Sequence, residues 1–319
     1  MKDRKEYVSK KLMAKVGGPL LNRISFLIPG LILVFTFVVY PVVATILLSF
    51  NINPIFGVNV VGNRPIGFIN YYKILTNFEF INTYGITHLC FPMGAIIHNI
   101  IWIAIHLPLT VIIGLLLAVM LQSVRGGFII RSLIFLGMVV PMIVGGLLIE
   151  YSFDKFLGVV NIFLRLVGLG FLARSWTIYP NTALFALILG SVWLWTGFTL
   201  TLYSAGIASL PKEVIEAAII DGAGFWTILR KVIVPLLKPV TVTVVAMTIL
   251  WDLKIFDIVY ASTRGGPGGA SMVLALLMYS YFARAQDYAT SAAVATILTL
   301  ITIPVVVIWM RMTLKGVSE

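Results

Sequence analysis

Six apolar runs divide this chain, and each is long enough to cross a lipid bilayer. A helix rises about 1.5 Å per residue, so about 20 apolar residues cross the roughly 30 Å hydrocarbon layer. Lipid offers the backbone no hydrogen-bond partner, so each run is expected to be an α-helix. The sequence therefore predicts an all-α membrane protein with six transmembrane helices, at residues 26–50, 97–121, 133–151, 184–203, 240–259 and 291–310.

Composition agrees with a membrane location. Hydrophobic residues make up 60% of the chain and charged residues 11%, whereas charged residues are about 25% of a soluble domain. The first run is too long for a signal peptide, and Phe50-Asn51-Ile52 offers no small-residue cleavage site, so we expect it to stay in the protein. The single cysteine, Cys90, cannot form an internal disulfide and is expected to be a packing residue.

The basic residues are distributed unevenly across the predicted membrane. The formal net charge is +11, and seven of the 23 Lys and Arg lie in residues 1–23, before the first run. Eight more lie in the other segments on that side and eight on the opposite side. Lys and Arg collect in cytoplasmic segments, so both termini are predicted to be cytoplasmic, with residues 1–23 as a basic tail. The positive charge thus indicates topology and contact with anionic lipid headgroups, and no nucleic-acid partner is expected.

Two longer segments follow the first and third runs, on the side opposite the termini. Residues 51–92 contain several Pro and Gly turn signals with aromatic residues between them, and they are expected to form a small cap outside the membrane. Residues 153–181 include an amphipathic stretch that is expected to form a short helix in the membrane interface.

One polar stretch, residues 211–239, separates the fourth and fifth runs and reads PKEVIEAAIIDGAGFWTILRKVIVPLLKP. It predicts two short helices: one begins at the Glu-Ala-Ala triplet, and the other covers residues 225–234. Glycine permits a sharp reversal between them, paired alanines allow close approach, and carboxylates offer anchors for arginine. The pattern therefore predicts a docking element, whose key residues are Glu216, Ala217, Ala218, Asp221, Gly222 and the closing Pro235.

This stretch resembles the cytoplasmic EAA loop in the membrane subunits of binding-protein-dependent ABC importers. The triplet, the Asp-Gly-Ala that follows and the closing proline stand at the family's spacing, with Val234 where leucine is usual. The resemblance implies the ABC importer type I permease fold, with residues 24–319 as the transmembrane permease domain. It also implies that residues 211–239 form the coupling loop to a separate ATPase.

Two further strings resemble the sugar-importing branch of that family, and the likeness extends over residues 99–310. They are DLKIFDIVYASTRGGPG at 252–268 and YATSAAVATIL at 288–298. The strings WLWTGF at 193–198 and LKIFDIVY at 253–260 look most like permeases for α-glucosides and trehalose. The resemblance implies a prokaryotic plasma membrane and four kinds of partner: a second permease subunit, a dimer of ATP-binding subunits, an extracytoplasmic sugar-binding protein and the sugar itself. ATP and Mg are expected on the ATPase, and no cofactor is expected on this chain.

Catalytic motifs are absent from the sequence. There is no G-x-x-x-x-G-K-[ST] phosphate loop, no G-x-S-x-G and no H-E-x-x-H, so this chain is not expected to be an enzyme. His88, His98 and His106 lack the spacing of metal ligands, and packing or interfacial roles are expected for them.

Polar and aromatic residues inside two runs are the candidates for a substrate pathway. Thr248, Trp251 and Asp252 fall at i, i+3 and i+4 of the fifth run and share one helix face. The fourth run has a matching face of Ser191, Trp195 and Phe198. Aromatic rings and hydrogen-bonding groups suit a sugar, which has both apolar C–H faces and hydroxyls, so the two faces are predicted to line its path.

A structural interpretation of the same residues stays open. Helix-to-helix packing would place Trp251 in an interfacial aromatic belt and pair Asp252 with Lys254 or Arg284. Asp257 lies near the outer end of the fifth run, where it either reaches the interface or gates the pathway.

Two other functions also stay open. An ion-coupled secondary transporter would use Asp252 as its coupling carboxylate and would transport without partners. A structural or receptor subunit would have no transport path, and polar substitutions in the fourth and fifth runs would then affect stability alone.

Overall fold

The computed structural model describes residues 20–52, 65–122 and 124–317, and all regular structure within these ranges is helical. The predicted all-α class is therefore confirmed for the described residues. Most of the predicted basic tail, residues 1–19, lies outside them. The helices are α1 (Leu20–Val34), α2 (Tyr40–Ser49), α3 (Ile69–Leu75), α4 (Thr83–Thr87), α5 (Ala95–Met120), α6 (Gly127–Val139), α7 (Met142–Ser152), α8 (Val159–Leu166), α9 (Pro180–Ala208), α10 (Lys212–Ile220), α11 (Phe225–Ile228), α12 (Val234–Leu236), α13 (Lys238–Leu253), α14 (Asp257–Ser262), α15 (Leu274–Tyr279) and α16 (Tyr288–Val317).

Four helices are long and apolar enough to cross a membrane, and two bent helix pairs bring the possible number of spans to six. The four are Leu27–Ser49, Ala95–Met120, Pro180–Ala208 and Tyr288–Leu314. The first of these joins α1 to α2 through a π-helical turn at Phe35–Val39. The multi-pass membrane architecture agrees with the apolar runs of the sequence.

The predicted third span, residues 133–151, is not one straight helix. It falls on α6 and α7, whose axes are bent by 104°. Pro141 lies between them and Val140 is extended, with φ −64° and ψ 128°. A proline disfavours the helical conformation in the residue before it, which explains the break.

The predicted fifth span, residues 240–259, is also interrupted. α13 ends at Leu253, residues 254–256 are not helical, and α14 begins at Asp257. Before this span, the chain bends by 75° between Phe225–Leu236 and Lys238–Ser262. The segment Phe225–Leu236, which precedes α13, is helical almost to the start of the span.

α9 is the most buried of the four long helices, and only a narrow stripe that includes Leu189 and Trp193 is exposed. It packs against α5 and α6, and α13 packs against α5 and α16. Gly114 of α5 lies so close to Thr199 of α9 that any Cβ at position 114 would collide with the threonine side chain. The absence of a side chain at Gly114 therefore sets the close approach of these two helices.

The two ends of the bundle differ in structure. We call the end that carries α10, α11 and α12 the inner end, and the end that carries α3 and α4 the outer end. At the outer end, α3 is held against the start of α16: Lys73 Nζ lies 2.7 Å from Asp287 Oδ2, and Asn77 Nδ2 donates to Tyr281 Oη at 2.6 Å. Residues 53–64 of the predicted cap lie outside the described residues; the rest contains the two short helices α3 and α4, of which α3 packs against the last long helix.

The amphipathic stretch at the outer end contains the short helix α8. Asn161 in this helix is buried, and its Nδ2 donates to the carbonyls of Asp154 at 2.7 Å and Arg174 at 2.8 Å. Phe163 on the same helix is exposed. Cys90, also at the outer end, is half-buried and free.

Candidate functional site

Two tryptophans from different helices stack in the middle of the bundle. The ring centroids of Trp195 in α9 and Trp251 in α13 are 4.4 Å apart, with an interplanar angle of 19°. Phe198 lies one turn from Trp195, with a centroid distance of 4.9 Å. The structure therefore brings the two sequence-predicted faces together, and we call these three rings the aromatic layer.

Thr248 holds the aromatic layer in place. Trp195 Nε1 donates a hydrogen bond to Thr248 Oγ1 at 2.9 Å, and that hydroxyl donates to the Val244 carbonyl at 2.8 Å. Thr248 is completely buried, whereas Trp251 and Phe198 are half-buried. The accessible surface of the aromatic layer is thus aromatic, and the buried Thr248 hydroxyl fixes the orientation of the Trp195 ring.

Asp252 pairs with a histidine and not with Lys254 or Arg284. Its Oδ1 lies 2.7 Å from Nδ1 of His106 in α5, and both side chains are completely buried. The pairing offered by the packing interpretation is wrong, because Asp252 points towards α5, whereas Lys254 lies past the end of α13 and is exposed. A buried carboxylate needs such a partner, because an isolated charge away from water is costly.

The Asp252 and His106 pair also supports the aromatic layer. The centroid of the His106 ring is 5.3 Å from that of Trp251. The His106 imidazole therefore contacts two neighbouring residues of α13, the Asp252 carboxylate and the Trp251 ring. This contact links α5 to the face of α13 that carries Trp251.

A stripe of buried residues on α5 joins these elements, and it was missed as a site by the sequence interpretation. His98, Trp102, His106 and Thr110 recur every four residues and are all buried. A four-residue repeat of polar and aromatic residues within an apolar run is the sequence signal that points to this face. The sequence interpretation gives His98 and His106 packing or interfacial roles and no part in a site.

Asn99 beside this stripe fastens the broken fifth span. Its Nδ2 donates to the Asp252 carbonyl at 3.0 Å, and its Oδ1 accepts from the Leu274 amide at 2.8 Å. His98 Nδ1 lies 2.7 Å from the Met272 carbonyl. α5 therefore holds the end of α13 and the start of α15 through side-chain bonds to their backbones.

Ser191 and Asp257 lie apart from the aromatic layer. Ser191 is completely buried, and its hydroxyl donates to the Ile188 carbonyl of its own helix at 2.7 Å. Asp257 is the first residue of α14, is half-buried, and belongs to a helix that packs against α7. The structure therefore gives Ser191 no open surface and places Asp257 past the interruption of the fifth span.

The loop at the inner end forms a helical reversal, with two corrections to the predicted boundaries. α10 begins at Lys212, so Glu216, Ala217 and Ala218 lie in its middle and do not begin it. Pro235 does not close the second helix, which continues to Leu236. A π-helical turn, Leu229–Ile233, precedes Pro235 and places it in the first turn of α12, where a missing N–H is tolerated.

Gly222 forms the reversal itself. Its φ is +76°, a left-handed angle that glycine adopts without penalty. The preceding Asp221 caps the end of α10, and both residues are exposed. A Cβ at position 222 would meet nothing within 4 Å, so the chain itself leaves room for a side chain there. The backbone angle is therefore the feature within this chain that favours glycine.

The reversal has an anchored side and an exposed side. Leu229, Ile233 and Leu237 are buried in the inner core against Leu200 and Tyr203 of α9. In contrast, the tip of the loop exposes Glu216, Asp221 and four large apolar side chains, Ile219, Ile220, Phe225 and Trp226. Exposed apolar groups of this size clustered beside carboxylates are typical of a protein interface.

Among residues 20–52, 65–122 and 124–317, no three His, Cys, Asp or Glu side chains lie close enough to hold a metal ion. His98 and His106 are buried; His98 contacts the Met272 carbonyl and His106 contacts Asp252 of α13. His88 is exposed and stacks on Tyr84 with ring centroids 4.2 Å apart.

This chain is similar to known proteins in both sequence and fold. The family model "Binding-protein-dependent transport system inner membrane component" matches residues 110–317. A probable ABC transporter permease protein of Pyrococcus horikoshii is 53% identical over 279 residues, which cover 87% of this chain and 93% of that protein. The trehalose/maltose transport system permease protein MalF of Thermococcus litoralis is 27% identical over 287 residues, covering 89% and 91%.

Two further comparisons agree with these. The alpha-glucoside transport system permease protein AglF of Rhizobium meliloti is 30% identical over 290 residues, covering 88% of this chain and 79% of that protein. In the crystal structure of a bacterial ABC transporter that imports the acidic polysaccharide alginate, one chain superposes with a TM-score of 0.74 at 18% identity, covering 96% of this chain and 99% of that chain. This chain therefore belongs to the ABC transporter permeases, the inner membrane components of binding-protein-dependent transport systems.

Proposed function

We propose that this chain is one of two membrane subunits of an ATP-driven sugar importer, with residues 211–239 docking a separate ATPase. The supporting observation is the reversal at Gly222, which is exposed at its tip and rooted at its base in the inner core. A partner that moves this tip moves α9 and α13 with it, because the base is packed against both helices. Glu216 and Asp221 supply carboxylates for arginines of the ATPase, and Ala217 and Ala218 allow its close approach.

The aromatic layer is the proposed contact with sugar. Trp195, Phe198 and Trp251 offer flat apolar surfaces, which suit the C–H faces of a pyranose ring. Thr248 and Asp252 position these rings, since both are completely buried and bonded within the bundle. Relatives named for trehalose, maltose and alpha-glucoside transport favour α-linked glucosides as the substrate class.

The proposed assembly contains a second permease subunit, two ATP-binding subunits and an extracytoplasmic sugar-binding protein. ATP and Mg are bound by the ATP-binding subunits. The inner end and both termini face the cytoplasm of a prokaryotic cell, as the distribution of Lys and Arg predicts. Transport follows by alternating access: closure of the ATPase moves the coupling loop, and the helices switch between inward-facing and outward-facing arrangements.

Uptake by the reconstituted complex tests the proposal. Proteoliposomes with all four kinds of subunit and labelled trehalose, maltose and other α-glucosides are expected to accumulate sugar only with ATP and binding protein present. The same uptake is expected after ion gradients are dissipated. Accumulation by this chain alone that depends on an ion gradient would instead support secondary transport, with the buried Asp252 as its coupling carboxylate.

A further inference from the structure

A polar cavity lies at the outer end of the bundle, away from the aromatic layer. Its volume is about 270 Å³, and it lies between the segment after α3, the turn before α5, the glycine-rich loop after α14 and the end of the π-helical turn Ser280–Arg284. Glu79, Arg264 and Arg284 line it together with Pro92 and Met272. Four different parts of the chain thus enclose one small space.

The charged groups of this outer cavity are unpaired. Within the described part of the chain, Glu79, Arg264 and Arg284 form no salt bridge, although all three line the same space. The cavity therefore presents a free hydrogen-bond acceptor and two free donors of fixed, forked geometry.

The glycine-rich loop adds backbone donors to the outer cavity. Gly268 and Gly269 have φ of +57° and +85°, and in the described residues neither amide donates a hydrogen bond to the chain. Both glycines line the cavity, where left-handed residues can turn their amides towards a bound group. Apolar contact is available from Pro92 and Met272.

This set of groups suits a neutral polyhydroxyl ligand. The two arginines would repel a cation, and the Glu79 carboxylate offsets part of the attraction that they would offer an anion. A sugar hydroxyl both donates and accepts, so it can satisfy the carboxylate and a guanidinium together. The cavity is slightly smaller than sites for drug-sized ligands, which begin at about 300 Å³, and this size favours a single sugar ring over a larger group.

We infer that the outer cavity is a carbohydrate subsite that takes one hexose unit before the sugar reaches the aromatic layer. The inference rests on the proposed import function. α5 connects the two places: His98 bonds to Met272, which lines the cavity, and His106 lies beside Trp251 in the layer. Eight residues separate the two histidines, which is about 12 Å along a helix at about 1.5 Å per residue.

Protection of a single thiol tests the subsite. Cys90→Ala removes the only cysteine of the chain, and Phe78→Cys then places one thiol at the exposed rim of the cavity. In the full complex held in nanodiscs, saturating maltose or trehalose is expected to slow maleimide modification at position 78 by about threefold or more. Tyr84→Cys is the matched control, because this exposed outer-end residue does not line the cavity and should react at an unchanged rate.

Two substitutions in the cavity test whether the protection at position 78 comes from sugar binding. Glu79→Gln and Arg284→Gln change charge at partly or fully exposed positions and are expected to abolish the protection at position 78. Absence of protection by either sugar would overturn the subsite. Protection by sugar-free binding protein alone, with none from sugar, would overturn it as well and assign the cavity to protein docking.

Uptake by the same complex in proteoliposomes distinguishes this inference from the proposed function. Uptake without protection at position 78 overturns the subsite and leaves the importer intact. Protection that is lost in Glu79→Gln, in a complex that accumulates no sugar, supports the subsite while contradicting the import function.

Discussion

The carboxylate of Asp252 lies 2.7 Å from Nδ1 of His106, and neither side chain is exposed. This contact joins the fifth span to α5 directly behind the aromatic layer, because the His106 ring also neighbours Trp251. Removing one partner would leave the other polar group buried without compensation, which costs more than the pair itself contributes. The pair therefore fixes the relative position of two helices that the proposed pathway needs.

Loss of either partner is expected to destabilise the protein by about 3–5 kcal/mol. His106→Ala leaves an unpaired buried carboxylate, and Asp252→Ala leaves an unpaired imidazole. The double variant should lose less than the sum of the single variants, because the two residues interact directly. Thermal unfolding of the purified protein measures these changes.

Lys254→Ala is the control for this pair, since Lys254 is exposed and is one of the two partners that the packing interpretation offered Asp252. Its stability should stay within about 0.5 kcal/mol of the wild-type value. A loss in Lys254→Ala as large as that in His106→Ala would contradict the observed pairing.

Trp195→Ala is expected to reduce sugar uptake at least tenfold while the complex still assembles. The substitution removes the stack with Trp251 and the hydrogen bond to Thr248, and with them the proposed surface for the sugar. Ser191→Ala lies one turn away on the same helix and should leave uptake nearly unchanged, since its hydroxyl bonds only within α9. Equal uptake in Trp195→Ala and wild type would show that the aromatic layer is a packing surface.

The sequence was sufficient to predict the faces that meet in the aromatic layer. Helical periodicity placed Trp195 and Phe198 on one face and Thr248 and Trp251 on another, and the structure brings the two faces together. Periodicity describes one helix at a time, however, and it contains no information on which partner a buried carboxylate meets. The packing interpretation therefore offered Lys254 or Arg284 for Asp252, whereas the fold supplies His106.

Helix boundaries were less predictable than helix faces. A run of apolar residues has the same hydropathy whether it is straight or bent, so the 104° bend at Pro141 was not expected. Pro235 was expected to end a helix, but the π-helical turn before it allows the helix to continue. At both prolines, the local backbone geometry decides whether the helix bends or continues, and composition does not reveal it.

The membrane orientation can be tested by labelling intact cells. In the Cys90→Ala background, a thiol introduced by Arg264→Cys at the outer end is expected to react with a membrane-impermeant maleimide. A thiol introduced by Asp221→Cys at the inner end should not react until the membrane is opened. Both positions are exposed in the structure, so a difference in labelling reports the side of the membrane. The opposite pattern would reverse the predicted orientation and exclude ATPase docking at Gly222.

Gly222 has two possible roles: it allows the left-handed backbone angle, and it leaves space for a docked partner. Substitutions at this position distinguish the two. Gly222→Asn keeps a residue type that tolerates the left-handed angle, whereas Gly222→Asp adds a charge as well as a side chain. The chain itself leaves space at this position, so a side chain can collide only with a docked partner. Both variants should therefore insert and fold normally, yet bind the ATPase less tightly. Gly224→Asp is the matched control, since Gly224 is exposed and has an ordinary φ of −72°.

Co-purification of the ATPase with this chain tests the docking proposal most directly. Glu216→Lys reverses an exposed carboxylate, and truncation of a charged group at an interface costs about 2–5 kcal/mol. We predict that Glu216→Lys and Gly222→Asp lose the ATPase and its stimulation by loaded binding protein, while Gly224→Asp retains both. Wild-type levels of bound ATPase and of stimulated ATP hydrolysis in Glu216→Lys and Gly222→Asp would contradict docking at this loop.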